Sequence, residues 1–220
     1  MCMAHYRPYV IMNAAMTLDG KIATAAGDSR ISSIKDLVRV HSLRSKVDAV
    51  LVGINTVLID DPMLSARRVN GKNPIRVIVD SRARIGLNSR VMRSCDRIQT
   101  IIASSAKASR KKLEKIRARG AVAMVLGKSN VDLAKLLSIL KDKGVKKLLV
   151  EGGGEINWSM VENGFVDEVI VTVGPRIIGG RNAVTLVEGR GFGRISDGIK
   201  LKFCKITKYG SEVVLYYRVV

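Results

Sequence analysis

The stretch Leu148-Leu149-Val150-Glu151-Gly152-Gly153-Gly154-Glu155 joins a short apolar run to a carboxylate and three glycines. A short apolar run bounded by turn residues is typical of a buried strand. Glycines have no Cβ to keep a ligand away from the backbone N–H groups. If residues 156–161 begin a helix, these donors lie at its positive end, where anions bind. The order of strand, glycine turn and helix indicates an α/β protein with a ligand site at the carboxyl ends of its strands.

Apolar runs of strand length recur along the preceding part of the chain. They predict strands at residues 10–17, 49–54, 75–79, 98–103, 121–126 and 147–150. Because helical patterns separate most of these runs, the strands are expected to pair mainly in parallel.

Helix start and stop signals fall between the predicted strands. Ser33-x-x-Asp36 is a variant of the capping box and predicts a helix start. A basic helix is predicted to end at Gly120, and a further helix covers residues 131–140. For the latter, Asn130 is the expected N-cap, and Gly144 lies past the end.

The pattern changes after Gly164. Strands are predicted at residues 166–173, 201–207 and 213–219 with no full helix between them. The turn Tyr209-Gly210-Ser211 joins the last two as a hairpin. We therefore predict a single α/β domain over residues 1–220, with a mixed, mostly parallel sheet, an antiparallel C-terminal hairpin and helices on both faces. Residues 1–7 are predicted to be a flexible N-terminal extension.

Composition limits the class of protein. Of 220 residues 47% are apolar, which favours a folded aliphatic core, and no apolar run approaches the roughly 20 residues of a membrane span. Three cysteines without paired spacing and the lack of a signal-peptide core predict a cytoplasmic protein without a disulfide framework or a metal site. Neither H-x-E nor C-x-x-C, the signature of a zinc deaminase, occurs.

The net charge of +19 predicts an anionic partner, either nucleic acid or phosphorylated small molecules. The basic residues are spread along the chain, and only nine aromatic residues are present for base stacking. Nucleic-acid binding is therefore kept as a distant alternative to small phosphorylated ligands.

A second polar cluster, Thr56–Arg67, follows the expected strand end at Gly53. Its paired carboxylates, Asp60 and Asp61, suit ribose hydroxyls or acid–base work, and Arg67 suits a phosphate. The alternative is a helix end with a proline turn, in which the aspartates act as caps.

A third cluster, Asp80-Ser81-Arg82-Ala83-Arg84, follows another predicted strand. Two arginines there suit the 2′-phosphate of NADP, although a basic turn without a ligand is the alternative. The glycine stretch itself is a poor match to the dinucleotide fingerprint, because Asn157 stands where a third glycine is required.

Several segments, taken together and in this order, resemble the riboflavin-biosynthesis reductases. They are 16–23, 28–32, 47–53, 56–64, 79–81, 150–154, 166–168 and 175–180. The resemblance runs from about residue 7 to the C-terminus, and it is closest to the stand-alone archaeal and fungal type.

The resemblance implies a dihydrofolate-reductase-like fold, NADPH as hydride donor and a homodimer. The implied reaction reduces the ribosylamino group of 2,5-diamino-6-(5-phosphoribosylamino)pyrimidin-4(3H)-one to a ribitylamino group, by hydride transfer to C1′ of a ring-opened imine. The alternative substrates are the deaminated analogue and another pterin-like compound on the same fold.

The resemblance also implies roles for individual residues. The residues implied to contact the cofactor are Thr56, Asp60, Ser81, Arg82, Ala83, Arg84, Ile85, Gly152, Gly153, Gly154 and Glu155. Those on the substrate side are Asn13, Ser29, Asp61, Leu64, Arg67 and Glu151. Asp61 and Glu151 are the candidate catalytic residues for ring opening, and no metal ligands are implied.

Overall fold

The computed structural model describes residues 6–220. The chain divides into two compact units. The first comprises the chain up to Tyr9 together with His41–Leu149, and the second comprises Val10–Val40 and Val150–Val220. A single domain over the whole chain remains a prediction. The predicted flexible extension, residues 1–7, lies mostly outside the described residues.

Eleven strands and six α-helices make up the described chain. The strands are β1 Tyr9–Thr17, β2 Lys21–Ala23, β3 Ala49–Gly53, β4 Ile75–Val79, β5 Thr100–Ser104, β6 Val122–Val125, β7 Lys147–Val150, β8 Glu168–Gly174, β9 Val184–Thr185, β10 Leu201–Tyr209 and β11 Glu212–Val219. The helices are α1 Ile34–Arg44, α2 Ile54–Asp60, α3 Arg90–Arg93, α4 Arg110–Ala118, α5 Leu133–Asp142 and α6 Gly154–Glu162. No helix among the described residues is long and apolar enough to span a membrane.

The first unit is built on the strand order β7-β3-β4-β5-β6. Parallel ladders join β3 to β4, β4 to β5 and β5 to β6. All residues of β3 and β5 are buried, as expected for parallel strands covered on both faces. The predicted strands are thereby confirmed to within one residue at each end, except that β5 begins two residues late, because Ile98 N donates to Ser94 O (3.0 Å) in the turn before it.

Two helices of the first unit show how the sequence sets their ends. Gly120 follows α4 at φ 94° and its N–H donates to Arg117 O (2.8 Å), so the predicted stop is confirmed. The predicted N-cap of α5 is wrong. Asp132, not Asn130, caps this helix, and its side chain accepts a hydrogen bond from Lys135 N (2.9 Å). Both residue types are good caps, and Asp132 is the one that directly precedes the first helical residue, Leu133.

The second unit has the strand order β10-β11-β8-β1. The β1–β8 pair is parallel, whereas β8–β11 and β10–β11 are antiparallel. Tyr209 pairs with Glu212 across the turn, and Gly210 has φ 63°, so the predicted hairpin is confirmed. A separate small sheet pairs β2 with β9.

The start of α1 is capped differently from the predicted box. Ser33 Oγ accepts a hydrogen bond from Asp36 N (3.3 Å), as a capping residue should. The second bond of a capping box, from Ser33 N to the Asp36 side chain, is not made. Ser33 N donates to the Glu212 carboxylate instead (2.6 Å). Asp36 is thereby left for a buried cluster described below.

Candidate functional site

The sequence-predicted functional residues fall into two groups, one in each unit. The first group lies after β3 and β4, in residues 56–67 and 81–85. The second comprises Asn13, Ser29 and residues 151–155. Each group is described by itself.

The paired aspartates lie at the end of α2. Asp60 is exposed and is the last residue of the helix, whereas the half-buried Asp61 follows it in the left-handed region at φ 38°. Asp61 Oδ1 accepts a hydrogen bond from Arg90 N (2.8 Å), the first residue of α3. The carboxylate therefore does act as a cap. Its other oxygen has no hydrogen-bond partner among residues 6–220 and remains an acceptor for a ligand.

Side chains from elsewhere in the first unit hold the backbone of the segment after Asp61. Leu64 is buried at φ 49°, and Ala66 N donates to Asn73 Oδ1 (2.9 Å). Arg44, the last residue of α1, donates to Ser65 O (3.2 Å). Arg67 follows this anchored stretch and is exposed.

Several arginines surround Arg67. Partial burial lowers the pKa of the Arg67 guanidinium, and the positive charges of Arg44, Arg90 and Arg68 lower it further. Like charges gathered around Arg67 favour an anion, and phosphate is the anion that arginine forks fit best. Sequence reasoning found Arg67 but missed Arg44 and Arg90, which only the tertiary structure brings close to it. We refer to Arg44, Arg67, Arg68 and Arg90 as the arginine cluster.

The turn over residues 80–85 is rigid. The fully buried Asp80 accepts from Ile85 N through Oδ2 (2.8 Å), and its backbone oxygen accepts from Ala83 N (3.1 Å). Ala83 lies at φ 53°. Ser105 Oγ donates to Ser81 O (2.8 Å) and holds the start of the turn.

The two arginines of this turn point out of it. Both Arg82 and Arg84 are exposed, and Arg84 Nη2 donates to Asn55 Oδ1 (2.7 Å) on α2. The turn is thereby tied to the helix that carries the half-buried Thr56. Two predicted clusters, one after β3 and one after β4, are thus brought together within the first unit.

The glycine turn of the second unit leads directly into α6. The helix begins at Gly154, and its N-cap, Gly153, has no side chain to satisfy the first N–H groups. Gly152 has φ 87°, and the Gly152–Gly153 peptide is cis. The predicted helix after the glycine turn is confirmed. Its first N–H groups have no acceptor among residues 6–220, and such an end is suited to a phosphate.

Glycine is required at positions 152 and 154 for different reasons. At Gly152 the reason is the positive φ. At Gly154 it is space, because a Cβ there would lie 2.4 Å from Glu188 Cγ and 2.8 Å from Thr185 O. Glu155 is exposed in the first turn, so its backbone N–H, not its carboxylate, suits an anion.

Asn157 and Glu188 support the glycine turn and were not found from the sequence. The fully buried Asn157 donates to Leu186 O (2.8 Å), and Glu188 N donates to Gly154 O (3.2 Å). The Glu188 carboxylate accepts from Thr185 N (2.5 Å) and from Thr185 Oγ1 (2.7 Å). These bonds lower the pKa of Glu188. The segment after β9 is therefore fastened to the glycine turn.

The remaining predicted residues of the second unit, Asn13, Ser29 and Glu151, are all buried or half-buried. Asn13 on β1 is 5% exposed, and its Oδ1 accepts from Arg39 Nη1 (3.0 Å). Ser29 is half-buried and its backbone oxygen accepts from Ile31 N (2.9 Å). Glu151 is half-buried at the carboxyl end of β7.

Known proteins are similar to this chain in sequence and in structure. A 2,5-diamino-6-ribosylamino-4(3H)-pyrimidinone 5′-phosphate reductase of Methanothermobacter thermautotrophicus is 48% identical, over 97% of this chain and 99% of the relative. The structure of RibD from Acinetobacter baumannii superposes with a TM-score of 0.85 at 23% identity, over 98% of this chain but 59% of RibD. Dihydrofolate reductase of Enterococcus faecalis, solved with NADP(H), has a TM-score of 0.56 at 9% identity, over 97% of this chain and 98% of that enzyme.

The two structural similarities confirm the predicted fold class, a dihydrofolate-reductase-like α/β fold with a mostly parallel sheet and an antiparallel C-terminal hairpin. Residues 8–215 match the family described as the RibD C-terminal domain. The chain therefore belongs to the RibD C-terminal domain family of riboflavin-biosynthesis proteins.

Proposed function

We propose that the chain is the NADPH-dependent reductase that converts 2,5-diamino-6-(5-phosphoribosylamino)pyrimidin-4(3H)-one into its ribitylamino product. The observation that carries this proposal is the 48% identity, over nearly the full length of both chains, to the archaeal reductase of that substrate. The arginine cluster and the two phosphate-suited turns support it, since both the substrate and the cofactor are phosphorylated.

The residues proposed for the cofactor fit a dinucleotide phosphate. In the second unit, Gly152–Gly154 lead into α6, and the N-cap Gly153 has no side chain to satisfy the first N–H groups of that helix. In the first unit, the rigid turn presents Arg82 and Arg84 as exposed cations suited to a 2′-phosphate. Thr56 and Asp60 on α2 are proposed to hold ribose hydroxyls. NADPH supplies the hydride in this reaction.

The residues proposed for the substrate offer complementary groups. Arg67, with Arg44 and Arg90 close to it, binds the ribose phosphate. The open carboxylate oxygen of Asp61 accepts a hydrogen bond from a ribose hydroxyl, and Leu64 packs beside that segment. In the second unit, Asn13, Ser29 and Glu151 complete the proposed set.

Asp61 and Glu151 are proposed to assist opening of the ribose ring, in which the C1′–O4′ bond breaks, the ring oxygen gains a proton and the amino nitrogen bonded to C1′ loses one as the imine forms. The hydrogen bond from Arg90 N holds Asp61 in place while one oxygen remains available. Asp61→Asn keeps that geometry and removes the base. A kcat reduced by about 10²-fold or more is expected for Asp61→Asn, and an unchanged kcat would exclude Asp61 from this role.

The test of the function is the loss of NADPH absorbance with the diamino compound, run beside its deaminated analogue. Turnover of the diamino compound with little on the analogue supports the proposed substrate. Preference for the analogue would keep the reductase chemistry but replace the substrate. No turnover of either compound by folded, NADPH-binding protein would overturn the proposal.

We also propose that the protein is a homodimer formed through the β10–β11 hairpin. Leu201, Phe203 and Ile206 are 45%, 53% and 59% exposed on the edge strand β10. A register shift between Phe203 and Lys205 returns Ile206 to the face that carries Phe203. The result is an apolar strip on a chain of charge +19, where two copies meet without bringing their cations together.

Light scattering over a concentration series tests the dimer. Phe203→Asp is expected to give a monomer, whereas Lys202→Asp, one residue away on the opposite face, keeps the dimer. A wild-type monomer at all concentrations, or a dimer insensitive to Phe203→Asp, would refute the hairpin interface.

A further inference from the structure

A buried polar cluster in the second unit surrounds Arg39 on α1. Arg39 donates three hydrogen bonds: Nε to Asp36 Oδ1 (2.7 Å), Nη1 to Asn13 Oδ1 (3.0 Å) and Nη2 to Thr172 Oγ1 (3.0 Å). The Arg39 and Asp36 side chains are 8% and 1% exposed. We call these four residues, together with Ser32, the Arg39 cluster.

Asp36 fixes the plane of the Arg39 guanidinium. Its Oδ1 also accepts from Thr172 Oγ1 (2.8 Å), and its Oδ2 accepts from Ser32 Oγ (2.6 Å). A buried ion pair is costly unless its remaining polar atoms are hydrogen-bonded, and here both carboxylate oxygens are. Arg39 therefore has one orientation, held from both the helix and strand β8.

The orientation of the Asn13 amide follows from chemistry. A guanidinium has only donors, so the amide atom that faces Arg39 Nη1 must be the oxygen. The amide nitrogen of Asn13 points away from Arg39 and has no hydrogen-bond partner among residues 6–220. This nitrogen is not fully buried, so it remains accessible from outside. Asn13 as a whole is only 5% exposed.

We infer that Arg39 is a positioning residue that makes Asn13 a donor toward the substrate. The held amide presents N–H groups and no acceptor, so it takes an acceptor atom of the substrate, such as a carbonyl oxygen or a ring nitrogen, and disfavours a donor at that place. The inference rests on the proposed function, in which Asn13 faces the substrate, and it adds the polarity of that contact and the residue that sets it.

Asn13→Asp tests the polarity without removing a partner from Arg39. The new carboxylate keeps the bond to Arg39 Nη1 but places an oxygen where the donor was. Asn13→Ala, which only deletes the amide, should raise the substrate KM about three- to tenfold, and Asn13→Asp should raise it further. The NADPH KM should stay unchanged in both. A substrate KM for Asn13→Asp equal to or below that of Asn13→Ala would overturn the inference.

Arg39→Lys tests the positioning role. Lysine keeps the charge for Asp36 but lacks the fork that reaches Asn13 and Thr172 together. We expect a substrate KM raised about three- to tenfold with the NADPH KM unchanged, whereas a merely structural role would lower the melting temperature and leave both KM values alone. Thr172→Val, which removes one of the groups that hold Arg39 but leaves its bond to Asn13, should raise the substrate KM in the same direction by less than Arg39→Lys.

The free protein gives a reading that does not depend on turnover. The Asn13 side-chain ¹⁵N–¹H₂ pair, identified by its loss in Asn13→Asp, should be a single set in the wild type and should shift or split in Arg39→Lys. An unchanged pair would overturn the positioning role even if no substrate were turned over. Failure of the proposed function would instead appear as an inactive wild type with the expected amide shift.

Discussion

Replacing Arg67 by alanine removes one of the three exposed members of the arginine cluster. Among residues 6–220 its one side-chain hydrogen bond is long, from Nη1 to Ser65 Oγ (3.4 Å), so little structure depends on it. A hydrogen bond to a charged partner contributes about 1.5–3 kcal/mol. Arg44 and Arg90 remain to neutralise the phosphate, so we take about 2 kcal/mol, which corresponds to a substrate KM raised roughly 30-fold.

The stability of Arg67→Ala should not fall. Partial burial lowers the pKa of Arg67, and the like charges of Arg44, Arg90 and Arg68 lower it further, so these charges oppose it in the free protein. Loss of Arg67 relieves that repulsion, so the free energy of unfolding should be unchanged or slightly raised at low salt. This combination of intact stability and weak substrate binding distinguishes a binding residue from a structural one.

Steady-state kinetics, with NADPH absorbance as the readout, measures both KM values. Arg82→Ala is the matched control, because it removes another exposed arginine from the turn proposed for the cofactor. It should raise the NADPH KM and leave the substrate KM near its wild-type value. Ribose 5-phosphate should inhibit the wild type competitively and lose most of that effect in Arg67→Ala. Equal changes of both KM values in Arg67→Ala would refute the assignment.

Two further predictions concern stability. Arg76 is fully buried and donates to neutral acceptors, among them Thr100 Oγ1 (2.6 Å) and Val91 O (2.9 Å), and burial lowers its pKa to about 10. Arg76→Met leaves several carbonyls without a donor and should lower the free energy of unfolding by about 3 kcal/mol in urea titrations; a loss below about 1 kcal/mol would show that these acceptors find other donors. Because the bonds from Thr185 lower the pKa of Glu188, the ionised carboxylate stabilises the fold above its unfolded pKa of about 4.3, and this contribution is lost as the pH falls through the lower folded pKa. The stability difference between wild type and Glu188→Gln should therefore be full near neutral pH and vanish in acid, and a difference independent of pH would contradict it.

The strands of this fold could be predicted because buried strands appear in the sequence as short apolar runs. Parallel strands covered on both faces are continuous apolar runs, and β7 has the predicted bounds, Lys147–Val150. The short helix α3 could not be predicted. It spans four residues without apolar periodicity, and its position depends on distant partners, the Asp61 carboxylate at its start and Arg76 at the carbonyl of Val91.

The sequence also predicted one part of the candidate site and missed another. Residues that follow predicted strands, such as Asp61 and the glycine turn, could be found because strand ends carry ligand sites in α/β folds. Arg44 and Arg39 could not, since both lie on a helix that the sequence describes only as amphipathic. Their roles depend on side chains far along the chain, Ser65 and Thr172 among them.

The glycine turn offers the sharpest way to separate a ligand site from a structural turn. Gly154→Ala is uninformative, because its Cβ would overlap Glu188 and Thr185 and disturb the fold whether or not a ligand binds. Gly153 has φ −71°, a value that alanine adopts without strain, and it is the residue immediately before α6. Gly153→Ala should therefore keep the melting temperature near the wild-type value. If a phosphate of NADPH approaches these N–H groups, the added methyl should cost about one charge-assisted hydrogen bond, or roughly a tenfold rise in the NADPH KM. A stable Gly153→Ala protein with unchanged NADPH KM would assign the three glycines to chain geometry alone and leave the arginines after β4 as the phosphate contacts.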